Sequence, residues 1–196
     1  MKHSFPLRVR DGRTGIVRVA RPRDARACLA IVAQAARERP RTLLVLDDEM
    51  WSPRLWRRHR RGWGPDGVSL VAELEGEVVG HLTADRGTRR AGRHAAEFGI
   101  TVVGRARGLG VGRALLETLE TWARDQQVTR IALGVFPDNE RARSLYRSMG
   151  YQEEGLERSS VRFPEGDRDI VRMAKLLAWP DERAATMEIT GETTEG

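Results

Sequence analysis

Gly108, Gly110 and Gly112, spaced two apart, lie between the β-branched run "GITVV" and the helix-like run "RALLETLETWA". A glycine just ahead of a helix lets backbone N–H groups approach a ligand that a Cβ would hold away, and the helix start adds roughly half a positive charge there. That is chemistry for an anion, and a phosphate is the first candidate. Arg105, Arg107 and Arg113 flank the glycines with further positive charge. Two familiar phosphate loops fail on spacing. A dinucleotide fingerprint needs G-x-G-x-x-G among repeated βαβ units, and a Walker loop needs Gly-Lys followed by Ser or Thr, whereas the nearest lysine here is Lys175. A tight strand-to-helix turn accounts for one or two of the glycines, but not for three between arginines.

The other reactive residue types exclude more than they suggest. His81 and His94 lack the spacing of metal ligands, and no cysteine stands near them, so no metal is expected. The single cysteine, Cys28, has no disulfide partner and reads as a packed small hydrophobe in the helical spacing of "DARACLAIVAQAA". At 196 residues, with 40% hydrophobic and 32% charged, the chain suits one well-filled globular core. No apolar run is long enough to span a bilayer, and the first residues lack the apolar stretch of a signal peptide. A cytoplasmic protein with no membrane contact is expected. The formal charge is +6, but residues 181–196 carry five acids and one Arg, which leaves +10 on the body. Such a body prefers anionic partners. No helix-turn-helix, ribonucleoprotein or zinc-finger pattern turns that charge into readout, so no nucleic-acid partner is expected.

The elements that must position the glycines follow from periodicity. Residues 1–15 read as an irregular lead-in, "IVRVA" as a strand, and residues 21–39 as an amphipathic helix stopped by Pro40. Residues 41–50 are ambiguous, and Ser52 with Pro53 opens a second helix through "RLWRRHRRGW". "VSLVAELEGEVVGHLTADR" is a hairpin turning at Glu75, Gly76 and Glu77. Then come the strand "RHAAEFGITVV", the helix "LGVGRALLETLETWARDQQ" and the strand "RIALGVF". A helix capped by Asp138 or Asn139 and ended by Gly150 precedes two closing strands, "YQEEGLERSSVRF" and "RDIVRMAKLL", around Gly166. One parallel crossover among hairpins describes an α+β fold: a mixed, mostly antiparallel sheet of about seven strands with helices on both faces. Residues 179–196 read as a disordered acidic tail.

Arg107-x-x-Gly110-x-Gly112 followed by "RALL" resembles the acetyl-CoA pyrophosphate loop of the GCN5-related N-acetyltransferase (GNAT) family. Asn139, Ala142, Leu145, Tyr146, Gly150 and Tyr151 match that family's later signature. "EVVGHLTADR", "AEFGITV" and "VFPDN" are similar to its bacterial L-amino-acid N-acetyltransferase branch. The resemblance covers residues 14–178 and implies a GNAT domain over 16–178 with two parallel strands splayed at the cofactor. It places the acyl-pantetheine arm of acetyl-CoA against the backbone of Ile100, Thr101 and Val102. The diphosphate falls on Arg107, Gly108, Leu109, Gly110, Val111, Gly112 and Arg113. Asn139 is implied to bind the arm or an ordered water, in addition to or instead of capping its helix.

Acetyl transfer from a thioester to an amine needs a neutral amine, a polarised carbonyl and a proton for the departing thiolate, but no protein nucleophile. The resemblance puts Tyr146 beside the cofactor sulfur as the acid; the alternative is a helix Tyr packed in the core. Glu97, which interrupts an apolar strand beside the cofactor edge, is the candidate base, directly or through water. Its alternative is an acid on a solvated face. An α-amine with pKa near ~8 is roughly one-tenth neutral at pH 7, whereas a lysine near ~10.4 is neutral about once in a few thousand molecules. Weak evidence for a base therefore favours α-amines.

Trp51, Trp56 and Trp63, interleaved with Arg54, Arg57, Arg58, Arg60 and Arg61, suit an acceptor with an apolar side chain and a carboxylate, unless the tryptophans are core and the arginines solvated. The expected acceptor is a small-molecule amine, a bulky apolar L-amino acid or a peptide with such a residue at its N terminus, attacked through its α-amine. Protein N-terminal acetylation and a non-catalytic basic binding module are the alternatives, and the oligomeric state, a homodimer included, is left open.

Overall fold

The structure, a computed structural model, describes residues 4–44 and 64–178. Two strands, β1 (Ser4–Arg8) and β2 (Thr14–Val19), lead through a 3-10 turn at Pro22–Asp24 into helix α1 (Ala25–Ala36). The hairpin β3 (Gly67–Leu74) and β4 (Glu77–Arg86) follows, then β5 (Ala95–Val102), α2 (Val111–Asp125) and β6 (Arg130–Val135). Helix α3 (Glu140–Ser148) and the hairpin β7 (Gln152–Phe163) and β8 (Gly166–Leu176) complete the chain. They form one sheet in the order β1-β2-β3-β4-β5-β6-β8-β7, antiparallel at every pairing but β5–β6. The eighth strand corrects the expected count of about seven. It is β1, which lies within the stretch read as an irregular lead-in and hides because Pro6 and the polar Ser4 and Arg8 dilute its pattern. The second helix and the acidic tail lie outside the described residues.

Local chemistry explains the boundaries. The β3–β4 link is two residues with positive φ, Glu75 at 51° and Gly76 at 84°, the backbone that a tight hairpin of right-twisted strands requires. The Asn139 side chain accepts from the Ala142 amide at 3.3 Å and so caps α3. Along α2, Leu115, Leu116, Leu119 and Trp122 fall on one face and are fully buried. Each contributes roughly 1.5–3 kcal/mol from apolar burial. Arg18, itself buried, donates to Asp24 at 2.7 Å and to Glu73 at 2.6 Å, which ties the turn before α1 to β3.

The two faces of the sheet are distinguished by their helices. A Cβ on Gly80 of β4 would touch Leu115 and Val111 at 3.1 Å, so Gly80 and its partner Val102 face α2. Val71 of β3 packs with Cys28 of α1, so Val71 and its partner His81 face α1. His81 pairs in turn with Thr101. Strand alternation therefore puts Phe98, Ile100 and Val102 on the α2 face and Glu97, Gly99 and Thr101 on the α1 face.

Candidate functional site

The parallel pairing of β5 with β6 is short. It joins Ala95 to Arg130, Ala96 to Ile131 and Glu97 to Ala132, and there it ends. From Phe98 onward β5 remains paired with β4 alone; Thr101 turns its backbone groups to β4, while Ile100 and the Val102 amide face the open β6 side, where Arg107 already holds the Val102 carbonyl. An extended amide-bearing chain can add to such an edge as another strand would.

The open edge runs into the glycine loop. Gly108 and Gly110 have φ of 78° and 98°, a left-handed backbone that glycine adopts without cost. The first α-helical bond of α2 is made by the Ala114 amide to Gly110, and no side chain caps the helix or places an acid in its first turn. The amides of Val111, Gly112 and Arg113 thus emerge without helical acceptors at the positive end of a 15-residue helix. A Cβ on Gly110 would meet nothing within 4 Å, so the space before these amides is open. Donors, charge and room all fit a diphosphate.

Each glycine nevertheless has a structural reason of its own: the turn accounts for two of them, and packing for the third. Gly108 and Gly110 need positive φ, and a Cβ on Gly112 would sit 3.1 Å from Leu145 Cδ2 on α3. The expectation for the flanking arginines is corrected. Arg107 turns to the Val102 carbonyl and Glu38, Arg113 donates to Ser148 Oγ at 2.7 Å and meets Met149 Sδ at 2.9 Å, and Arg105 pairs with Glu77. These guanidiniums brace the loop. Leu109 helps as well, its carbonyl accepting from the Arg10 amide at 3.1 Å.

Tyr146 lies in α3 on the α2 face of the sheet, edge-on to Phe98 with ring centroids 5.9 Å apart. It is buried, and burial pushes its phenol well above the usual value. The ring is therefore core, as the alternative reading had it, and the hydroxyl stays protonated through neutral pH. Tyr151 packs beside it, and its hydroxyl is buried with no hydrogen-bond partner among the described residues. Glu97 sits at the last paired position of β5, exposed on the α1 face, where Arg172 of β8 donates to it at 2.8 Å. The strand thus separates Glu97 from Tyr146. Among the described residues, no group of three His, Cys, Asp or Glu side chains could hold a metal ion. His81 instead shares a hydrogen bond with Ser69 at 3.3 Å.

The model of the Acetyltransferase (GNAT) family matches residues 30–151, more than half of the chain. The protein is a GNAT acetyltransferase. It is 41% identical over 112 residues to the L-amino acid N-acetyltransferase AaaT of Escherichia coli, a match that spans 55% of this chain and 64% of that one. It is 31% identical over 153 residues to the N-alpha-acetyltransferase RimI of Mycobacterium tuberculosis, spanning 76% and 85%. A phosphinothricin acetyltransferase of Sinorhizobium meliloti, solved with acetyl-CoA, has the same fold, with a TM-score of 0.74 at 22% identity over 84% of this chain and 89% of that one. The GNAT family is one of acyltransferases, and this chain is accordingly an acyltransferase. No helix among its described residues is long and apolar enough to cross a membrane.

Two residues of the GNAT site escape a reading by sequence. Arg141 of α3 brings Nη2 to 3.2 Å from the Cβ position of Gly108, and it has no carboxylate partner among the described residues. It sits inside the signature "DNERA" as an exposed position. Arg172 is 75 residues from Glu97, a separation no spacing rule spans. The Trp51, Trp56 and Trp63 cluster, with Arg54, Arg57, Arg58, Arg60 and Arg61, lies outside the described residues.

Proposed function

We propose that this GNAT enzyme acetylates the α-amine of a small amino-acid-like acceptor by direct transfer in a ternary complex. The observation that carries this reading is the opening of β5 from β6 directly after Glu97, with unbonded helix amides at one end and carboxylate and phenol on opposite faces. In this reading the amides of Val111, Gly112 and Arg113, with Arg141, hold the diphosphate, and the open edge at Ile100 and Val102 holds the arm. Asn139 keeps its cap through Oδ1 and has its amide N–H groups left to reach the arm or a water.

Acetyl-CoA supplies an acyl group activated enough for a neutral amine to attack without a protein nucleophile. Glu97 takes the amine proton, directly or through one water, as the C–N bond forms. Tyr146 donates a hydrogen bond to the sulfur as the C–S bond breaks. Burial keeps the phenol protonated, so it stands as the acid for the leaving thiolate. The name of the Escherichia coli relative supports a free amino acid as acceptor, and that of the mycobacterial relative, matched over more of its length, supports a protein N terminus.

Thiol release from acetyl-CoA, measured with amino acids, peptides, aminoglycosides and spermidine, separates these readings. Free phenylalanine or methionine is expected to lead, while peptides in the lead would favour the protein acceptor. Polyamines or aminoglycosides in the lead would overturn the α-amine assignment.

A further inference from the structure

The α1 face carries one charge relationship that the transfer chemistry does not require. β6 lies between β5 and β8, and it presents Ala132 and Gly134 to this face, in register with Glu97 and Arg172 respectively. Both are small. Arg172 uses the room: its Nη1 lies 3.3 Å from the Cβ position of Gly134 and donates to Glu97 at 2.8 Å. The guanidinium thus crosses a whole strand to reach the place where the gap begins. Leu44 Cδ1, 3.2 Å from the same Cβ position, walls the spot on the side of the chain that follows α1.

We propose that Arg172 is a specificity-determining residue that receives the carboxylate of a free amino acid while Glu97 receives its α-amine. This rests on the α-amine reading above and names the acceptor more closely. An amino-acid head group carries its two charges on neighbouring atoms, and Glu97 and Arg172 offer the opposite charges side by side in the same spacing. The Glu97 side chain is 58% exposed and that of Arg172 30%, and ion pairs so exposed are weakly held. Opening the pair costs little, whereas an arginine can take a carboxylate through two parallel N–H bonds. Glu157 of β7, 3.7 Å from Arg172 Nε, keeps the guanidinium anchored when Glu97 lets go.

The exchange also sets a condition on catalysis. While Arg172 holds Glu97, a guanidinium occupies the carboxylate that the amine must reach. A substrate carboxylate that takes over Arg172 frees Glu97 beside the amine it must deprotonate. An amino-acid amide, a peptide or a polyamine brings no carboxylate to that position and leaves the pair closed.

The test compares L-phenylalanine with L-phenylalaninamide as acceptors for wild type, Arg172→Gln and Arg172→Lys, with acetyl-CoA affinity measured by calorimetry on each. Wild type is expected to favour the free acid. Arg172→Gln should lower kcat/KM for the acid by roughly 10- to 100-fold, the range for losing a charged hydrogen bond, and alter that for the amide less than a few-fold. Arg172→Lys should recover part of the loss, mainly in KM, and it reads the same contrast if the Gln variant fails to fold. Equal losses on both acceptors, or a preference for the acid that survives in Arg172→Gln, would overturn the role of Arg172 and leave the α-amine reading standing. A wild type that favours the amide would overturn this proposal, and one that ignores both while acetylating spermidine would overturn the α-amine reading as well.

Discussion

Arg107 joins the two ends of the site: its Nη2 donates to Glu38 beyond α1 at 2.6 Å, and its Nε donates to the Val102 carbonyl at 2.8 Å, where β5 ends. The glycine loop is thereby fixed both to the open edge and to the chain that follows α1. Both side chains are about one-quarter exposed, so the bonds are only partly screened. Arg107→Met should cost about 2 kcal/mol, as expected for charge-assisted bonds, and should weaken acetyl-CoA binding because the loop loses its brace. Glu38→Gln keeps the Val102 contact and should cost less. Thermal melts and calorimetry check both, and a melting temperature unchanged in Arg107→Met would refute the brace.

Gly110 and Gly112 should respond differently although they share a motif. Gly110 has φ of 98° and open space beyond its Cβ position, so Gly110→Ala costs about 1–2 kcal/mol of backbone strain and intrudes where a diphosphate would lie. Acetyl-CoA affinity should fall at least tenfold, about 1.4 kcal/mol, in addition to the loss in stability. Gly112→Ala pushes on Leu145 Cδ2, the end of a flexible side chain, and should alter affinity less. Calorimetry that ranks the two in the opposite order would contradict the assignment of the open space.

Much of this site is legible in the sequence because it depends on backbone. The positive φ at Gly108 and Gly110, the cap at Asn139 and the turn at Glu75 and Gly76 are local events with local signatures. The parallel crossover follows from the order of strands and one amphipathic helix. What stays hidden depends on long side chains choosing among distant partners. Arg107 and Arg113 stand beside the glycines in sequence yet turn to Glu38 and Ser148, while Arg141, from another element, meets Gly108. Glu97 reads as either base or surface acid until the structure shows Arg172 reaching it across β6. The missed strand β1 has a buried contact only at Leu7, too sparse a pattern for periodicity to register.

Tyr146→Phe removes a hydroxyl and keeps the ring against Phe98. If the phenol supports the leaving sulfur, kcat should fall by roughly 10²-fold with acetyl-CoA affinity nearly kept. Because burial raises the phenol above its ordinary pKa, it remains protonated as pH rises past neutrality. The kcat profile of wild type should therefore show no falling limb from Tyr146 below about pH 10, the ordinary phenol value. A variant with wild-type turnover would assign Tyr146 to packing alone.

The central claim is that acetyl-CoA lies along the open β5 edge with its diphosphate on the first amides of α2. Backbone hydrogen exchange, with and without saturating acetyl-CoA, reads those groups directly. New protection is expected at the amides of Ile100 and Val102 and of residues 111–113, with β1, at the far edge of the sheet, unchanged. Protection absent from both segments while acetyl-CoA is bound, and found elsewhere in the chain, would contradict the claim.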